Sequence, residues 1–150
     1  MNPLRAAVMR PQWIDDGLRE ALVDIKRVSI DKSHPAARPE YFGGRVRMQE
    51  LYEPDRDGEE SELVAVFFEA GARTTPHTHE STQVLQVISG RCLVVIEGER
   101  RVVEPGDFAI VPRDVWHWHG ATSDGPMCHI SIKLPGRTDW SVPRRDWDSG

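Results

Sequence analysis

The feature that most constrains this 150-residue chain is the succession of short, β-rich segments between residues 62 and 134, each closed by a turn signal. "ELVAVFFEA", "ARTTPHTH", "QVLQVISG", "RCLVVIEG", "RRVVE", "DFAIVP", "VWHWHGA" and "MCHISIKL" follow one another at short spacing. Such punctuation predicts an antiparallel all-β sandwich or barrel. Two turns carry their own mechanism. "EGER" puts Gly98 between two β-branched runs as a hairpin loop, and "EPGD" supplies Pro105 and Gly106 where a type II turn wants a fixed φ followed by a positive one. Upstream, "DIKRVSI" and "RVRMQELY" are further strand candidates, separated by the Pro-rich "DKSHPAARPEYFGG". The chain divides into an N-terminal arm (1–23), in which "DGLREALVDI" could start a short helix, one domain (24–140) and a C-terminal tail (141–150). A domain of this length buries a core without disulfide or metal staples.

"HTHESTQ" (77–83) and "WHWHG" (116–120) are where polar groups enter this barrel. Successive strand side chains point to opposite faces, so His77 and His79 share one face, and His117 and His119 share another face opposite Trp116 and Trp118. Gln83, Leu85 and Val87 alternate with Val84, Gln86 and Ile88. Barrel interiors are normally apolar, and burying imidazoles without partners costs roughly 1 to 3 kcal/mol for each unsatisfied group. A bound divalent metal removes that penalty by consuming ring nitrogens, which it takes at about 2.0 to 2.1 Å.

The same residues resemble the two sequence motifs of the cupin superfamily. The first motif is matched by Gly71, His77, His79, Gln83 and Gly90, the second by Gly106, Pro112, Asp114, His117 and Ala121, with every spacing kept. Gln83 replaces the usual glutamate, Asp114 a turn glycine and Ala121 an asparagine. The resemblance implies a double-stranded β-helix, a jelly-roll barrel with His77, His79, Gln83 and His117 holding a divalent transition metal (Mn, Fe, Ni or Zn) in its mouth. A neutral Gln83 leaves the charge of such an ion largely undiminished, which favours Lewis-acid chemistry over the oxygen chemistry that a carboxylate supports. "GARTTPHTH", "HWHGA", a histidine on the final strand and the late "DW" (139–140) also resemble the small cupins related to carboxymuconolactone decarboxylase-associated proteins, which include bacterial cupin hydroxynitrile lyases. That likeness implies proton-moving roles for His119 and His129, whose pKa near 6.5 when unperturbed suits neutral pH. The pocket wall is expected from Phe67 or Phe68, Leu85, Val87, Phe108 and Ile110. Trp116 and Trp118 are expected as core or dimer-interface aromatics, and His34 and the "RRDWD" arginines as exposed.

Composition narrows the partners. The net charge is −5, and 16 arginines and 3 lysines are interspersed with acids, so no basic stripe exists to displace counterions from nucleic acid. No apolar run approaches the roughly 20 residues that cross a bilayer, and "MNPLRAAVMRPQWIDDG" lacks the apolar centre of a secretory signal, which predicts a cytoplasmic protein without membrane partners. Cys92 and Cys128 sit in apolar runs and read as small buried hydrophobes. An exposed strand edge predicts a homodimer or higher homo-oligomer, with the arm pairing across. Three functions follow: a metal-dependent lyase, isomerase or decarboxylase on a small-molecule substrate, an iron-dependent dioxygenase, and a non-catalytic ligand-binding module.

Overall fold

The computed structural model describes residues 23–54, 59–145 and 147. Its thirteen strands among those residues are β1 (His34–Pro35), β2 (Phe42–Gly43), β3 (Val46–Tyr52), β4 (Glu62–Phe68), β5 (Arg73–Thr74), β6 (Thr78–His79), β7 (Gln83–Ser89), β8 (Cys92–Ile96), β9 (Glu99–Val103), β10 (Phe108–Val111), β11 (His117–Ala121), β12 (Met127–Lys133) and β13 (Thr138–Asp139). They form a six-stranded sheet in the order β1-β3-β4-β12-β7-β10, a five-stranded sheet in the order β2-β5-β11-β8-β9, and a β13-β6 pair. All described pairings are antiparallel. Apart from the hairpins β3-β4 and β8-β9, the chain passes back and forth between the two large sheets, as in a double-stranded β-helix.

The core lies between the sheets. Val66, Phe68, Leu85 and Val87 from the six-stranded sheet pack with Cys92, Val94 and Ala121 from the other. Each such aliphatic or aromatic side chain contributes about 1.5 to 3 kcal/mol when fully buried. Outside the five-stranded sheet, Val95, Trp116 and Trp118 form a second cluster, covered by Val142 and Trp147. The indole of Trp116 donates to the Pro143 carbonyl (2.7 Å) and that of Trp147 to the Thr74 carbonyl (2.6 Å). The described part of the C-terminal segment is thus fastened to the barrel, while the arginines Arg144 and Arg145 are exposed. Cys92 and Cys128 are free and buried, and burial pushes their thiols up to about 12 and about 11.

The turns form as their residues dictate. Glu97 and Gly98 both have positive φ (45° and 84°) between the paired Ile96 and Glu99, the arrangement of a two-residue hairpin matching strand twist. Gly90 has φ +74°, and a Cβ there would stand 2.1 Å from the Pro126 carbonyl oxygen.

Two expectations are corrected. "DIKRVSI" forms no strand: its Ile25 is 86% exposed, and the backbone is held instead by the Gln49 side chain, which accepts from the Ser29 amide and donates to the Arg27 carbonyl (both 2.9 Å). The Pro-rich loop supplies β1, where Pro35 sits on an edge that needs no amide donor. The arm falls almost wholly outside the described residues, of which only Val23 belongs to it.

Candidate metal centre

The barrel mouth gathers its histidines through backbone pairing. His77 and His117 form a β-bridge, amide to carbonyl in both directions at 2.9 and 3.1 Å. His79 follows on β6, and Gln83 opens β7 after a short turn. The backbone holds this turn from the second motif: the Asp114 amide donates to the His79 carbonyl at 2.8 Å. Asp114 takes φ +61°, so the aspartate standing where the motif has glycine adopts the glycine conformation. Aspartate is among the residues that tolerate it.

Each imidazole is fixed through Nδ1. That of His77 donates to the Thr75 carbonyl (2.7 Å) and that of His117 to the Val115 carbonyl (2.9 Å), while that of His79 is paired with the Thr138 hydroxyl (3.0 Å). A neutral imidazole with its hydrogen on Nδ1 presents a bare lone pair at Nε2. The three rings offer ligand atoms that all lie within 4.8 Å of one another. His79 Nε2 is buried with no hydrogen-bond partner. His117 Nε2 lies 3.2 Å from the Gln83 amide oxygen, whose amide nitrogen donates to Ser131 Oγ at 2.8 Å. Two lone pairs facing each other and a third without a partner are a donor set waiting for a cation, so the residues fit a divalent metal. Burial holds all three rings neutral: His77 falls well below its usual range, His79 to about 3 and His117 to about 4, each chiefly by desolvation. Neutral imidazole is the form that binds metal.

His119 and His129 reach the same space. They are buried, and His129 Nε2 lies 3.0 Å from His119 Nδ1. Burial depresses both, His129 to about 4. With His77, His79 and Gln83 they line a cavity of about 240 Å³, walled by Phe42, Met48, Val64, Val66 and Phe68, while His117 stands behind that lining against Gln83. Phe108 and Ile110, expected in that wall, are 57% and 64% exposed on the edge strand β10 and face away from it. Phe67 packs on the outer side of its sheet with Leu51 and Ala65. Four cavity residues carried no signal of their own in the sequence reading: Glu62, Thr138, Trp140 and, as a charged group, Lys133. The Trp140 ring lies over His77 (centroids 4.3 Å apart) and is itself stacked on Tyr41 at 4.4 Å. Its one hint was the "DW" shared with the small cupins.

The fold and site define a jelly-roll barrel with three inward imidazoles that could hold a metal ion. The chain belongs to the cupin family, whose domain matches residues 64–133. It is 36% identical over 126 residues to the (R)-mandelonitrile lyase of Granulicella tundricola, covering 79% of this chain and 92% of the relative. It is 34% identical over 79 residues to the pectin degradation protein KdgF of Dickeya dadantii, covering 52% of this chain and 71% of that one. Among solved structures, a cupin-like protein from Thermotoga maritima superposes with a TM-score of 0.71 at 28% identity, covering 84% of this chain and 94% of that one. Among the described residues, no helix is long and apolar enough to cross a membrane.

Proposed function

We propose that this protein is a metal-dependent enzyme of the lyase or isomerase type acting on a small organic molecule. His77, His79, His117 and Gln83 hold the ion, and His119 with His129 moves the proton. One observation carries the reading: three imidazoles whose ligand atoms lie within 4.8 Å of one another, two of them lining the same small cavity as a hydrogen-bonded histidine pair. A divalent ion held there supplies Lewis-acid polarisation of a substrate oxygen. The apolar wall excludes water from that oxygen and strengthens every charge interaction inside. Burial keeps both His119 and His129 neutral near pH 7, so each has one ring nitrogen free to accept a proton and releases it again readily. With the shared hydrogen on His119 Nδ1, a proton arriving at His119 Nε2 is matched by passage of that hydrogen to His129 Nε2 across their 3.0 Å contact. The similarity to a mandelonitrile lyase supports carbon–carbon cleavage beside a hydroxyl as the first activity to assay.

The test is elemental analysis of the purified chain and of His77→Ala, followed by anaerobic cleavage of mandelonitrile and oxygen uptake by the iron-loaded form. About one metal per chain, lost in the variant, is expected. Turnover without oxygen, abolished in His119→Ala while the metal stays bound, supports the proposal. Substrate-coupled oxygen consumption assigns a dioxygenase instead, and a wild-type chain that takes up no metal overturns the reading.

A further inference from the structure

The geometry points to a carboxylate-bearing substrate, with Lys133 as the residue that reads the carboxylate and Glu62 as the residue that holds Lys133 in place. The inference rests on the metal-enzyme reading above and adds the class of molecule the site takes. On β12, His129, Ser131 and Lys133 alternate onto the face that lines the cavity, so the ammonium enters the same space as the proton-moving pair and the residue that orients Gln83. Lys133 stands in register with Glu62 on β4, and its Nζ lies 2.6 Å from the Glu62 carboxylate. The pair is largely withdrawn from solvent, with side-chain exposures of 12% and 28%.

Charge balance supplies the argument. Among the described residues, Glu62 is the sole acid lining the cavity, and its charge is already taken by Lys133. The proposed ligands, three imidazoles and one amide, are all neutral. The protein therefore offers nothing to offset a dication in a cavity where unpaired charge is costly. An anionic ligand restores the balance outright, whereas a neutral cyanohydrin does so only once its hydroxyl has lost a proton. The ammonium has three donors and Glu62 uses one; the structure gives it no second acceptor among the described residues, which leaves donors for a carboxylate. A 2-hydroxy or 2-oxo acid meets both demands, with one oxygen for the ion and a carboxylate for Lys133.

The test is calorimetric titration of the manganese-loaded full chain with mandelate and with its neutral isostere mandelamide, on wild type, K133Q and E62Q. Metal content and thermal melting are read on the same samples. Wild type should prefer the acid by about tenfold or more, as a charge-assisted hydrogen bond in a sheltered site supplies. K133Q should lose most of that preference with manganese retained. E62Q, which frees the ammonium from its competitor, should bind mandelate more tightly than wild type. Opposite signs from the two halves of one ion pair are what a merely structural pair would not give. Equal binding of acid and amide by wild type, or a preference unchanged in K133Q, overturns the assignment; if K133Q does not fold, mandelate binding by E62Q no tighter than wild type does so. Manganese bound without acid preference sinks the carboxylate inference alone, whereas a chain that takes up no metal sinks both readings.

Discussion

Thr138→Val should weaken metal binding about tenfold while leaving the barrel intact, because Thr138 is the one side chain that orients a proposed ligand histidine. His77 and His117 are aimed by the backbone carbonyls of Thr75 and Val115, which no substitution removes. His79 depends on the Thr138 hydroxyl at 3.0 Å, on a two-residue strand whose only described ladder is to β6. For His79 to present its buried, unpartnered Nε2 as a lone pair, its hydrogen must sit on Nδ1 and donate to the threonine oxygen. Valine keeps the shape and the strand propensity but accepts nothing. The stranded N–H then costs about 1 to 3 kcal/mol, or the ring turns over and withdraws its ligand atom. Thr138 is half-buried, so water relieves part of that cost and the lower end applies; about 1.4 kcal/mol is the tenfold change. The assay is competition for zinc or manganese against a chromogenic chelator, with thermal melting of the metal-free protein as the control for folding. Thr138→Ser, which keeps the oxygen, should stay near wild type. A valine variant with wild-type affinity, or a serine variant as weak as valine, would refute the reasoning.

Two further outcomes follow from the same structure. In metal-free protein, His129 is held at about 4 against 6.5 when unperturbed, so the unfolded chain binds the extra proton; its contribution is complete above pH 6.5 and lost as the pH falls towards 4. Urea unfolding should show wild type losing about 2 kcal/mol more than His129→Leu between pH 8 and pH 5, and equal losses would contradict the burial of a neutral ring. Gly90→Ala should destabilise by about 3 kcal/mol or more, since its Cβ meets the Pro126 carbonyl at a positive φ, whereas Gly98→Ala, with open space around it, should cost only about 1 to 2. Denaturation midpoints of the two variants decide this, and similar values would show that the close approach at Gly90 relaxes.

What could be read from the sequence is what strand alternation and turn chemistry determine locally. His77 with His79, His117 with His119, and Gln83 with Leu85 and Val87 fall on the barrel interior because a strand reverses its side chains at every residue. Which histidines meet follows from one bridge, His77 to His117, and the motif spacing anticipated it. The misplacement of Phe108 and Ile110 has a physical cause: β10 is an edge strand, where an apolar alternation no longer says which face is covered. "DIKRVSI" misled for a related reason. Its β-branched residues suit a pleated surface, but a single glutamine side chain, that of Gln49, takes up the backbone groups a neighbouring strand would have paired.

The residues that escaped the sequence reading share one property: each acts through a partner far away in the chain. Thr138 serves a histidine 59 positions earlier, and Trp140 lies over His77 only because β13 pairs with β6. Lys133 meets Glu62 through the register of β12 on β4. Local pattern shows that His129, Ser131 and Lys133 share a face, but not that the face carries a half-buried ion pair. Yet these distant partners decide what the site can bind. The motif histidines are neutral and the glutamine that replaces the family's acid is neutral, so among the described residues the only fixed charges lining the cavity come from a cross-strand pair that no motif contains. If that pair reads the substrate, then metal chemistry in this barrel is encoded locally and substrate choice is encoded by the sheet register. The two should separate cleanly under mutation: His77→Ala removes the metal, whereas K133Q leaves the metal and changes only what it meets.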